Sequence, residues 1–128
     1  MSVAGIDHVQ VAAPPGCEQQ ARAFYGRLLG LRELEKPPAL QARGGAWFAC
    51  GEQQLHVGVE DPHRPARKAH PALRVVPGTL DELADRLGAS GAQLDWDRSV
   101  EGARRFYTSD PWGNRIELIE PAPANPGG

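Results

Sequence analysis

Alternating apolar and polar residues mark eight short strands along the chain, interrupted twice by stretches of helical spacing. Over residues 5–12, Val9 and Val11 point one way while Ile6, His8 and Gln10 point the other, which is strand period. The segment EQQARAFYGRLLGL then sets Ala21, Phe24, Tyr25, Leu28 and Leu29 at helical spacing, and Gly30 supplies a C-terminal stop. LRELEKP, GAWFACGE and QQLHVGVE read as three further strands, the first two separated by a loop, PPALQARGG. After a basic linker, DPHRPARKA, the layout returns. HPALRVV reads as a strand and TLDELADRLGASG as a helix. Thr79 and Glu82 stand at capping-box spacing, Leu80, Leu83, Ala84 and Leu87 share one face, and Gly91 is placed to end the helix. AQLDWD, ARRFYTSD and NRIELIEP complete the strands, with a tight turn at DPWG between the last two. The closing APANPGG reads as a frayed tail.

The order is therefore strand, helix and three strands, twice over. It predicts an α+β fold of paired βαβββ modules, over about 4–60 and 69–121. Each helix must cover one face of its sheet. Four polar residues then draw attention. His8 and His56 are 48 residues apart, His70 and Glu117 are 47 apart, and each pair opens and closes one module. Val9 and Val11 follow His8, Leu55 and Val57 flank His56, Leu73 and Val75 follow His70, and Ile116 and Leu118 flank Glu117. If the aliphatic stripe packs under the helices, all four polar residues point to the opposite, open face. Imidazole nitrogens and a carboxylate oxygen are the usual ligands of a catalytic divalent ion.

Composition narrows the functional classes. The apolar fraction of 41% supports a real core, and 14 basic against 16 acidic residues give a net charge of −2. With no strong field of either sign, nucleic acid and membrane surfaces are not the expected partners. No run approaches the roughly 18 apolar residues of a membrane span. Cys17 and Cys50 have no metal spacing, and MSVAGID lacks the basic-then-apolar layout of a secretion signal. The expectation is a cytoplasmic protein with reduced thiols.

Other polar and aromatic residues have blander readings. His63 falls outside the repeated pattern and reads as solvent-exposed, and Glu120 as a solvated charge at a strand end. Arg105 and Tyr107 share one face of their strand and Phe106 the other; Arg105 reads as a surface arginine, with substrate orientation as the alternative. Trp47, Phe48 and Trp112 read as core or interface aromatics, with Trp47 also suited to a cavity wall. Arg64, Arg67 and Lys68 form a solvated linker, with attraction of an anionic substrate as the sharper alternative.

The strand HVQVA, the helix ARAFYGRLLGL and the closing run RRFYTSDPWGNRIELIEP resemble the vicinal oxygen chelate (VOC) superfamily. This group includes glyoxalase I, extradiol dioxygenases, and fosfomycin- and bleomycin-resistance proteins. The resemblance spans roughly residues 4–121 and implies a single VOC domain over 1–122, with 123–128 as a flexible tail. It implies a curved mixed sheet around a central cavity, a small-molecule substrate and a homodimer. The two modules that form one cavity can come from one chain or from two. The family's metal positions fall on the first, fourth, fifth and eighth strands, which here carry His8, His56, His70 and Glu117. At the fourth strand glyoxalase I has a glutamate that serves as ligand and base, where this chain has His56. Extradiol dioxygenases and fosfomycin-resistance enzymes use a set that would be His8, His70 and Glu117.

His56 is then either a fourth ligand or a catalytic base beside the substrate. The ion can be iron, zinc, nickel, manganese or cobalt, and iron(II) best suits the three-residue set. The function implied is a divalent-metal-dependent VOC-type enzyme, a glyoxalase-like lyase or isomerase or an extradiol-type dioxygenase. Its substrate would be a small molecule chelated through neighbouring oxygens. The alternatives are a non-catalytic antibiotic-binding protein of the bleomycin-resistance type, and a paralogue whose metal site is structural or vestigial.

Overall fold

The computed structural model describes residues 2–121, so the expected tail at 123–128 lies outside the described residues. Each repeat folds into its own four-stranded mixed sheet. The first contains β1 (His8–Ala13), β2 (Arg32–Leu34), β3 (Ala46–Cys50) and β4 (Gln53–Val59), in the spatial order β1-β4-β3-β2. The second contains β5 (Ala72–Arg74), β6 (Asp95–Asp97), β7 (Arg104–Ser109) and β8 (Arg115–Glu120), in the order β5-β8-β7-β6. In both sheets the outer strand β1 or β5 runs parallel to its neighbour and the remaining pairs are antiparallel. Parallel neighbours cannot be joined by a hairpin, and in each repeat a helix lies on the connection between them. By its internal contacts the chain divides into two compact units. Among the described residues, unit 1 runs to Arg67 and takes in Pro111–Asn114; unit 2 comprises Lys68–Asp110 and residues 115–121.

In unit 1 the helix begins as α1 (Glu18–Ala21) and widens into a π-helical segment, Arg22–Leu28. There the Leu29 N–H reaches five residues back to the Phe24 carbonyl at 2.9 Å. The widened turn lets the adjacent Phe24 and Tyr25 both turn inward, where Tyr25 meets Phe48 of β3 at 6.0 Å between ring centres. With Val11, Ala13, Leu55 and Val57 they form the core of this unit. Each such large side chain contributes roughly 1.5–3 kcal/mol by leaving water. The loop expected at PPALQARGG holds one short helix, α2 (Pro38–Gln41), with proline in its first turn, where the missing N–H costs nothing. Gly45 follows at φ +85°, and a Cβ there would collide with the Val57 carbonyl, so only glycine lets the chain pass so close to β4.

The predicted turn at DPWG is present, and its last residues do more than reverse the chain. Asn114 is buried: its Oδ1 accepts the Ala66 N–H at 3.0 Å and its Nδ2 donates to the Ala12 carbonyl at 2.7 Å. Trp112 Nε1 donates to Gln20 Oε1 at 3.2 Å. The turn thus ties the end of β1 to the linker through side-chain bonds, although it belongs by sequence to the second repeat.

In unit 2, α3 (Leu80–Ala89) buries Leu80, Leu83, Ala84 and Leu87, the face its periodicity predicts, and packs against β8. Phe106, Ile116 and Leu118 complete that core. The capping box is not formed. Thr79 makes no side-chain cap; its hydroxyl donates to the Val76 carbonyl at 2.7 Å instead. Glu120 differs from its solvated reading as well: it accepts the Gly78 N–H and lies 3.8 Å from Arg104 Nη1. The strand expected over 70–76 shortens to β5, which leaves His70 just ahead of it.

Candidate metal half-sites

Sheet register places the four candidate ligands equivalently in the two units. In unit 1, His56 on β4 lies opposite Gln10 of β1 and Trp47 of β3. In unit 2, Glu117 on β8 lies opposite Ala72 of β5 and Tyr107 of β7. His8 stands two residues before Gln10, and His70 two residues before Ala72. The duplication read from spacing is therefore also a duplication of backbone position.

The unit 1 pair is built from rings. Trp47 stacks on His56 at 4.0 Å and 4° between planes, and His8 stacks on the imidazole at 4.2 Å and 19°. Because Trp47 and His8 come from strands on opposite sides of β4, His56 is the middle ring of three. It is only 5% exposed, so the face expected to be open is closed at this point. His56 Nε2 lies 2.8 Å from Gln54 Oε1 and donates to it, which leaves Nδ1 as the nitrogen with a lone pair. Burial, and then the neighbouring His8, hold the His56 pKa below the ordinary 6.5, so the neutral ring is favoured. His8 itself is exposed, and its Nδ1 bonds Asp7 Oδ1 at 2.9 Å.

The unit 2 pair is built from charges. His70 Nε2 lies 2.9 Å from Glu117 Oε1, and its Nδ1 lies 2.8 Å from the Lys68 carbonyl. Both ring nitrogens face oxygen atoms that only accept. A neutral imidazole carries one N–H, so one of the two contacts needs a second proton or a cation. An Nδ1–H bonded to a backbone carbonyl is the arrangement that orients a metal-ligating histidine. Two ligand atoms each about 2.0–2.2 Å from one ion and at right angles lie roughly 3 Å apart, close to the Nε2–Oε1 separation. The His70–Glu117 pair therefore fits a divalent ion. Among the described residues no group of three or more His, Cys, Asp or Glu side chains stands ready to hold one; within each unit the candidate residues form a pair.

Arg105 overturns its reading as a surface arginine. It donates from Nη1 to Glu117 Oε2 at 3.2 Å and from Nη2 to Asp97 Oδ2 at 3.0 Å, with its side chain 18% exposed. A guanidinium already shared between two carboxylates is a poor receptor for an anionic substrate, so the orienting alternative loses support as well. Tyr107 lies edge-on to His70 at 5.4 Å, with the Arg115 guanidinium 3.8 Å over its ring. Sequence reasoning missed the Arg105 bridge, although Asp97, Arg105 and Glu117 alternate onto one face of adjacent strands. It also missed the stacking of Trp47 on His56.

His63 is half-buried, not exposed, and its Nε2 is buried without a hydrogen-bond partner. Both cysteines are free thiols; burial, with help from Glu18, pushes Cys17 up to about 11. Among the described residues no helix is long and apolar enough to cross a membrane.

Comparison with known proteins agrees with this architecture. The profile of the Glyoxalase/Bleomycin resistance protein/Dioxygenase superfamily matches residues 5–118. A glyoxalase family protein from Bacillus anthracis is 50% identical, with a TM-score of 0.89 over 94% of this chain and 98% of that one. At 23% identity, lactoylglutathione lyase from Agrobacterium tumefaciens shares the fold, with a TM-score of 0.71 over 94% of this chain and 96% of its own. So does a mutant of the fosfomycin resistance protein FosX from Listeria monocytogenes, crystallised with Mn(II) and a dihydroxypropylphosphonic acid. It is 18% identical, with a TM-score of 0.77 over 94% of each chain. No protein of curated function matches the sequence. With the profile covering both repeats and both pairs of candidate residues up to Glu117, the chain belongs to the glyoxalase/bleomycin resistance protein/dioxygenase superfamily.

Proposed function

We propose that this protein is a divalent-metal-dependent enzyme of its superfamily, acting on a small molecule that offers two neighbouring oxygens. His8, His70 and Glu117 supply ligands, and His56 acts as a fourth ligand or as a base. The observation that carries the reading is His70, whose two ring nitrogens both face oxygen acceptors. Mn(II) in the FosX complex, on the same fold, supports the choice of a divalent ion. When bound, such an ion supplies a positive centre that polarises a carbonyl or holds adjacent substrate oxygens.

The chain's own groups prepare that chemistry. The Lys68 carbonyl fixes the His70 tautomer, and Arg105 holds the far oxygen of Glu117. His56 donates through Nε2 to Gln54, so whichever role it takes falls to Nδ1. Its depressed pKa keeps that nitrogen unprotonated near neutral pH, as either a ligand or a base requires. A cytoplasmic homodimer remains part of the proposal, to be tested by sedimentation.

A second reading has its own support. Because the matching family also takes in bleomycin resistance proteins, a binding protein of that type, working without metal, is the competing function. A panel of metal-loaded protein against hemithioacetals, catechols, and fosfomycin with thiols separates the two. Turnover of one class that disappears on chelation and in His70→Ala is the expected result. Tight, metal-independent binding of a drug without turnover would contradict the enzyme reading.

A further inference from the structure

Beside the proposed ligands, one group is arranged at a cost that fold stability does not explain. Arg105 is mostly buried on β7, with Nη1 on Glu117 Oε2, Nη2 on Asp97 Oδ2 and a longer approach, 3.4 Å, to Ser99 Oγ. Its Nε is buried with no hydrogen-bond partner. An arginine placed for its own sake would satisfy that donor; this one leaves it unmet while spanning two carboxylates. Buried ion networks of this kind seldom add net stability over apolar replacements, so a role in fixing geometry accounts better for it.

Glu117 shows what is fixed. Its carboxylate is divided: Oε2 belongs to Arg105, and Oε1 alone is turned to His70 Nε2. Asp97, in turn, offsets the guanidinium charge. Arg105 can therefore hold the carboxylate by directed hydrogen bonding while adding little repulsion toward a cation. Resting on the metal-enzyme reading above, we infer that Arg105 is a positioning residue, tethered by Asp97, that commits Glu117 to ligation through Oε1 only. Lysine is a poor substitute, because a single ammonium on a flexible stem does not reproduce the planar fork that serves two carboxylates at once.

The test is Mn(II) titration of chelator-stripped protein, read by the electron paramagnetic resonance of free ion, with thermal melting of each metal-free variant alongside. Removal of a residue that orients a metal ligand typically weakens binding about 10–100-fold, and that loss is expected for Arg105→Gln. Arg105→Lys should fall between Arg105→Gln and the unaltered protein, and Asp97→Asn should shift affinity in the same direction. If Arg105→Gln does not fold, Arg105→Lys carries the test. Mn(II) affinity unchanged or tightened in a folded Arg105 variant, while Glu117→Ala abolishes binding, overturns the positioning role and leaves the metal site standing. Binding that survives Glu117→Ala overturns the metal site itself and the inference with it.

Discussion

At equivalent register positions the two units hold their central residues by different forces. His56 in unit 1 sits between two rings, Trp47 and His8, and is kept neutral by burial. Glu117 in unit 2 sits between the His70 imidazole and the Arg105 guanidinium, and Arg105 is anchored in turn by Asp97. Ring stacking is worth about 0.5–1.5 kcal/mol beyond burial and tolerates sliding. A charge held in a buried network is directional, and it is costly to strand. The duplicated backbone thus offers two kinds of position: an uncharged one suited to a neutral imidazole, and a charged one suited to a fixed carboxylate.

Substitutions should break this symmetry in order of size. Glu117→Ala removes the carboxylate that both Arg105 and His70 contact, leaving the mostly buried guanidinium with Asp97 alone, and should cost about 3 kcal/mol in denaturant unfolding. His8→Ala, on an exposed ring, should cost under about 1 kcal/mol by the same measurement. Equal losses would mean that the two half-sites are held alike. Next, Asn114→Ala leaves the Ala66 N–H and the Ala12 carbonyl without their partner, at about 2 kcal/mol. Hydrogen exchange should locate that loss around β1 and the 60–67 linker, with β5–β8 protected. A loss confined to unit 2 would refute the assignment of the turn to unit 1.

Acid should separate the units more gently, and is best followed on metal-free protein. An unfolded chain protonates its histidine near 6.5, whereas folded unit 1 protonates His56 only at lower pH. The stability from burying the neutral ring is therefore complete above pH 6.5 and is lost as pH falls through the folded value. Asp97, lowered from 3.8 first by Ser99 and then by Arg105, behaves in the same sense but further into acid. Its contribution is complete above pH 3.8 and is lost as pH falls through the folded value. Nuclear magnetic resonance should show resonances around His56 changing first. In Trp47→Phe, which keeps a smaller ring over the imidazole, the His56 titration should move part of the way back toward 6.5. No movement would mean that the stack does not shield it.

Much of this was readable in the residues themselves. Alternation around His8, His56 and Glu117 fixed which neighbours are apolar, and the repeated spacing placed the pairs in matching strands. Side-chain partners across strands were less accessible. The Arg105 bridge depends on β6, β7 and β8 lying in one register, and alternation within a strand carries no information about register between strands. Asn114 was invisible for a related reason, because its partners Ala66 and Ala12 are distant in sequence and use backbone atoms. The capping box failed because Thr79 found a nearer acceptor in the Val76 carbonyl, a local competition that spacing alone does not resolve.

We propose that His8, His70 and Glu117 are ligands of a divalent ion. Metal content of protein purified without chelators, measured for the unaltered chain and for one substitution in each unit, tests it most directly. One divalent ion per chain is expected, lost both in His8→Ala and in Glu117→Ala while each variant stays folded. Metal-free unaltered protein that takes up no added divalent ion, or full retention in either variant, would contradict it.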